Sequence, residues 1–214
     1  MAQTVRSPDD LRKARVTVGI AVATAAVWLL SLSLPFEYLV LRGGFIPARV
    51  EGGTWPGLPV WLTPLSATFL HIGFLHLLFN LLFLAICGRA VEPVLGARGI
   101  GILYVVGAFA AAAAQWAAGP GSQAPMVGAS GAVSAVIGAY AMLFGRYRVK
   151  VRSNALAVAI NALWLAAAWV AMQLLVAFAV GSGGPREAVA AHIGGFVAGL
   201  ALARPLLLLK WRGA

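Results

Sequence analysis

GASGAVSAVIGAY, Gly128–Tyr140, sets two serines among small and branched apolar residues and carries no charge. It lies inside a longer uncharged stretch. No Asp, Glu, Lys or Arg occurs between Gly99 and Gly145, and none between Ser153 and Pro185. Both stretches exceed the roughly 20 residues that one membrane-spanning helix needs. Across the 214 residues, 61% are hydrophobic and 10% charged, and the mean hydropathy is +0.90. A soluble domain carries about 25% charged residues to cover its surface, so this composition excludes one. The chain reads as an all-α polytopic integral membrane protein.

Outward from that stretch, six apolar segments can be marked: Val16–Leu34, Thr68–Cys87, Gly101–Ala118, Val127–Phe144, Ala155–Val180 and Ala188–Leu209. The expected organisation is a tail over 1–15, a membrane-embedded domain over 16–209 and a short tail over 210–214. TWPGLPVWLTPL, with its prolines and tryptophans, reads as a loop lying along the membrane interface. GPGSQAPM and GSGGP read as short turns. Of the 16 Lys and Arg, only Arg42, Arg49 and Arg186 fall in outside connections if the amino terminus is cytoplasmic. The positive-inside rule therefore favours cytoplasmic placement of both termini. The same placement explains the net charge of +10 through topology and contact with lipid headgroups. RYRVKVR then reads as a cytoplasmic connection, and no nucleic-acid partner is expected. The first segment has a basic start like a signal peptide, but its apolar part is longer than the usual 7–15 residues. The lone Cys87 lies in an apolar run, so no disulfide framework is available and an inert buried thiol is expected.

Polar groups inside a bilayer are expensive and invite a functional reading. The three histidines are His71, His76 and His192. With both termini inside, His76, Ser130 and His192 lie near the outer starts of the second, fourth and sixth segments. At 1.5 Å rise per residue each is roughly 5–12 Å below the outer end, in one layer. In AHIGGFVAGL, His192 shares a helical face with Gly195 and Gly199. Ser130, Ser134 and Gly138 form a matching stripe of small residues. Small residues let membrane helices approach closely, and packing the two stripes brings the imidazole towards Ser130. A serine hydroxyl is a poor nucleophile unless a base within about 2.6–3.2 Å takes its proton, and imidazole suits that task. His76 and Asn80, at i and i+4, project from one face and can donate hydrogen bonds to a developing oxyanion. His71, five residues before His76, points away from that face on a regular helix.

GASG around Ser130, the pattern of His71, His76 and Asn80 in HIGFLHLLFN, and AHIGGFVAG around His192 together resemble the rhomboid family of intramembrane serine proteases. RAVEPVLG, containing Glu92, is similar to the family's region after the second helix. The resemblance runs from the first segment to the sixth and implies a six-transmembrane-helix rhomboid-like bundle. It implies Ser130 as nucleophile and His192 as general base. His76, Asn80 and the Ser130 backbone N–H would form the oxyanion hole. His71, Glu92, Gly128, Gly195 and Gly199 would serve as structural support. The family uses a dyad without an acidic third member, and both aspartates, Asp9 and Asp10, lie in the amino-terminal tail. Two departures stand out. The position four beyond the nucleophile is often a tyrosine near the catalytic histidine; here it is Ser134. LRGG occupies the place of a Trp-Arg pair in the first outer loop.

The expected function is an intramembrane serine endopeptidase that cuts transmembrane proteins near the outer face of the membrane. Helix-weakening and small residues are expected near the scissile bond. Water would reach the site beneath GPGSQAP and the loop from Glu37 to Leu65. The alternative is a non-catalytic rhomboid-like protein that binds membrane segments or serves quality control; a transporter would want an intramembrane carboxylate or broken helices on its path. Expected partners are transmembrane substrates and membrane lipids. No cofactor or metal is expected: three histidines could hold zinc, but HExxH and a nearby carboxylate pair are missing. Glu187 is set aside as an interface charge, and Trp164 and Trp169 read as lipid-facing or packing residues, with lining of the substrate route as the lesser alternative. The six-helix form and short tails suggest a bacterial plasma membrane.

Overall fold

A computed structural model describes residues 14–144, 153–180 and 185–211, the side chains of 171–188 excepted. The basic amino-terminal tail, the RYRVKVR connection, most of the GSGGP turn and the Glu187 side chain fall outside the described residues. Among the described residues the regular elements are helices, with one isolated antiparallel bridge between Phe45 and Met126. The helices are α1 (Arg15–Ser31), α2 (Phe36–Gly43), α3 (Thr63–Ser66), α4 (Phe74–Phe83), α5 (Arg89–Ala118), α6 (Ser130–Phe144), α7 (Asn154–Val180) and α8 (Pro185–Trp211). A π-helical turn over Leu84–Gly88 joins α4 to α5 without a loop. Two stretches of the described residues are long and apolar enough to cross a membrane, Phe74–Ala118 and Val189–Trp211. Arg15–Ser31, Ser130–Phe144 and Asn154–Val170 are shorter apolar helices.

The expected boundaries need three corrections. The second segment does not begin its helix at Thr68. Ala67–Phe69 form a 3-10 turn, Leu70 and Gly73 are extended, and α4 starts at Phe74. Neighbouring backbone holds this opening, because Gly128 N–H donates to Ala67 O at 2.9 Å. Secondly, no loop separates the second segment from the third. The helix runs on through RAVEPVLG until Gly96, whose φ of 79° breaks it inside α5. That conformation is open to glycine at little cost. Lys210, on α8, donates to the Pro93 and Val94 carbonyls, at 2.7 and 3.2 Å, which the break leaves without helical partners. Thirdly, α6 begins at Ser130 rather than Val127, because Met126 is drawn into a short antiparallel bridge with Phe45.

The amino-terminal end of α1 is anchored by a buried carboxylate. Glu92 accepts the Val16 and Thr17 backbone N–H groups at 2.9 and 2.8 Å and the Thr17 hydroxyl at 2.6 Å. A negative charge there complements the positive end of the helix dipole.

α6 is the central post. Every residue from Gly131 to Ala139 is buried. Its 15 residues reach only about 22 Å, less than the hydrocarbon thickness, but a helix jacketed by protein need not match the lipid. Glycine makes the jacket close. A methyl group on Gly195 would collide with the Gly131 carbonyl oxygen, and one on Gly199 with the Ala135 carbonyl oxygen. On the facing side, Gly138 lies against the α8 backbone at Phe196 and Leu200. The stripes of α6 and α8 thus touch backbone to backbone, the geometry small residues permit.

Candidate active site

At the outer end of this contact, His192 Nε2 lies 2.8 Å from Ser130 Oγ. The two residues are 62 positions apart in sequence and are joined by the α6–α8 packing. His192 is buried, while Ser130, the first residue of α6, is partly open. An unprotonated Nε2 at this distance accepts the serine proton in a single hydrogen bond, the geometry that activates an alcohol.

The segment before Ser130 is shaped by Gly128, whose φ is 112°. Its missing side chain also makes room, since a Cβ there would strike the His76 imidazole at Cε1 and Nε2. His76 therefore packs directly on the backbone two residues before Ser130. Asn80, one turn further along α4 and fully buried, donates Nδ2–H to the His76 carbonyl at 2.8 Å. Its Oδ1 has no hydrogen-bond partner among the described residues.

His71 differs from its expected place. It does not sit on the α4 helix pointing away from His76. It lies in the extended lead-in, and the two imidazoles meet edge-on with centroids 5.0 Å apart. His71 Nε2 accepts the Ala129 N–H at 3.4 Å, which leaves Nδ1 to carry the proton and donate to Phe69 O, also at 3.4 Å. His71 thus ties the lead-in to the residue preceding Ser130. Glu92, by contrast, is at the far end of α1 and takes no part in this cluster.

Three residues matter here more than their sequence context indicates. Trp169 on α7 is 1% exposed, whereas Trp164, on the same helix, is 71% exposed. The Trp169 ring meets His192 at 6.0 Å between centroids and Phe83 at 4.6 Å, both edge-on. Its Nε1–H donates to Ser134 Oγ at 2.6 Å, and Ser134 in turn donates to the Ser130 carbonyl at 2.7 Å. In the outer loop, Arg49 is buried and its guanidinium donates to the Leu58 carbonyl at 2.6 Å and the Leu41 carbonyl at 3.4 Å. The loop lacking a Trp-Arg pair is braced from another position. Its only sequence signal was a positive charge on the side where few occur. Phe83 and Trp169 carried none.

Between α7 and α8 a cavity of about 400 Å³ is lined by apolar side chains, including Ala159, Ala162, Ala166 and Phe196, and reaches His192.

The Rhomboid domain family model matches residues 59–209. Over 145 residues the chain is 31% identical to RHOMBOID-like protein 5 of Arabidopsis thaliana, a match covering 67% of this chain and 43% of that protein. The chain thus spans less than half of that relative's length. A plant relative counts against the expectation of a bacterial membrane, which rested on helix count and tail length alone.

Proposed function

The chain belongs to the rhomboid family, an integral membrane family, and from that premise we propose that it is an intramembrane serine endopeptidase acting on transmembrane proteins through Ser130 and His192. The observation that carries this reading is the 2.8 Å contact between Ser130 Oγ and His192 Nε2. In the proposed reaction His192 takes the Ser130 proton as Oγ bonds to the scissile carbonyl carbon. The carbonyl π electrons move to oxygen, and that oxyanion is held by His76, the second N–H of Asn80 and the Ser130 backbone N–H. Collapse breaks the C–N bond, with the His192 proton passing to the leaving amine. Water, deprotonated by His192, then releases the acyl group and restores Ser130.

The bilayer arrangement belongs to the same proposal. Six crossings are read, by α1, by α4 through Leu95, by 97–118, and by α6, α7 and α8, with both termini cytoplasmic. Ser130 then lies near the outer face, and cleavage falls near the outer end of the substrate helix. A helical peptide bond has its carbonyl engaged and must be locally unwound, which favours substrates with helix-weakening residues near the cut.

Fluorophosphonate labelling of the full chain in detergent or lipid tests the reading. The native protein is expected to label, Ser130→Ala not at all, and His192→Ala at a strongly reduced rate. An unlabelled native chain that is folded would favour a rhomboid-like protein that binds membrane segments without cutting them.

A further inference from the structure

Ser130 and His192 sit on α6 and α8, and among the described residues the aromatic ring found against the imidazole comes from neither helix. The ring comes from α7. The Trp169 indole is a single rigid plate that touches His192 and is linked to Ser130 through Ser134. One is direct, the edge-on meeting with the His192 ring at 6.0 Å between centroids. The other is a two-step hydrogen-bond relay. Trp169 Nε1–H donates to Ser134 Oγ at 2.6 Å, and the Ser134 hydroxyl proton goes to the Ser130 carbonyl at 2.7 Å. The indole N–H can only donate and the Ser130 carbonyl can only accept, so the direction of both bonds is settled. Phe83, from the end of α4, packs on the indole at 4.6 Å. Ser134 suits this arrangement. It accepts the indole N–H, reaches back one turn to the Ser130 carbonyl, and is small enough to leave the indole its place.

Trp169 is the bulkiest side chain on the α7 side of the adjoining cavity. The cavity between α7 and α8 is bounded on the α7 side by Ala159, Ala162, Leu163, Ala166, Trp169 and Val170, of which the three alanines are too short to span it. The indole, bulky and nearly fully buried, crosses where these cannot.

We propose that Trp169 is a positioning residue, held by Ser134, that sets the His192 imidazole against Ser130 and thereby couples the seating of α7 to the competence of the dyad. The proposal rests on the protease reading. A shift of α7 that withdraws the indole breaks the Trp169–Ser134 bond and removes the wall behind the imidazole in one movement. The effect falls on the chemical step, because the indole contacts His192 and is not proposed to contact the substrate.

The test is cleavage of a model transmembrane substrate by the full-length protein in proteoliposomes, with kcat and KM separated, alongside fluorophosphonate labelling rates. Trp169→Leu is expected to lower kcat at least tenfold with KM within twofold. Trp164→Leu, on the exposed side of the same helix, is expected to leave both within twofold. Adding Ser134→Tyr to Trp169→Leu offers an aromatic ring to the vacated space from α6 and is expected to restore at least threefold of the lost kcat. A folded Trp169→Leu protein with kcat within twofold of native, or with a change in KM alone, overturns the positioning role. If Trp169→Leu does not fold, Trp169→Phe and Ser134→Ala decide: each removes one partner of the relay and is expected to slow labelling three- to tenfold, and unchanged rates in both overturn the proposal. Failure of the native chain to label overturns the protease reading instead.

Discussion

Asn80 illustrates how one side chain carries two obligations. One N–H is spent on the His76 carbonyl, which fixes the amide, and Oδ1 is buried without a partner among the described residues. Leaving a buried acceptor unpaired is destabilising, and such groups collect where function demands them. Under the proposed mechanism, Asn80→Ala removes one oxyanion donor, a loss of about 3 kcal/mol in transition-state stabilisation. The expected outcome is a fall in kcat of roughly 10²–10³ with stability little changed, read by substrate cleavage beside thermal unfolding. Gly128 is constrained twice, by a φ of 112° and by the imidazole resting on it, so no other residue replaces it without moving His76. The pairing of His76 and Asn80 on one face was legible from their spacing. The place of His71 was not, because a regular helix was extended through a lead-in whose backbone partners, such as Gly128, are far away in sequence.

The amino-terminal end of α1 is held by one side chain. Glu92 gathers three hydrogen bonds at the α1 amino terminus, all from 75 or 76 residues away. Gly88 sits beside them, its absent side chain leaving space for Thr17. Glu92→Ala leaves two backbone N–H groups and a hydroxyl unpaired and removes the charge opposite the helix dipole. Hydrogen bonds to charged groups contribute about 1.5–3 kcal/mol each, but they are not additive, so a total loss of about 3 kcal/mol is expected. Thermal unfolding in detergent should show it, while fluorophosphonate labelling of the protein that remains folded stays close to native, since Glu92 is remote from Ser130. A labelling rate that falls with no change in unfolding would contradict the anchoring role. RAVEPVLG was readable as a motif in the chain. That it is helix up to Gly96, with Lys210 closing the broken end, depended on α8 lying alongside.

The assembled bundle places α6 at its centre, with α8 against it through glycine contacts and α7 joined to the site through Trp169. The bilayer orientation proposed for this bundle rests on the distribution of Lys and Arg. It can be read directly by single-cysteine labelling in a Cys87→Ser background. Gln123→Cys, in the exposed turn before Ser130, should react with a membrane-impermeant maleimide applied to intact cells. Lys150→Cys should react only after the membrane is opened. The reverse pattern would place Ser130 near the cytoplasmic face and overturn the proposed site of cleavage.

Membrane character, helical class and the short roll of chemically capable residues could be read along the chain, because hydropathy, charge and side-chain chemistry are properties of residues and their near neighbours. The spacing of Ser130, Ser134 and Gly138, and of His192, Gly195 and Gly199, even named the faces that meet. Which distant groups complete the site was a question of folding. The seat of His71 beneath Ala129, the Arg49 brace and the Trp169 relay each join residues whose pairing leaves no periodic trace. Ser134 could be noticed as a departure, but its partner, 35 positions away, became identifiable only when α7 was packed against α6.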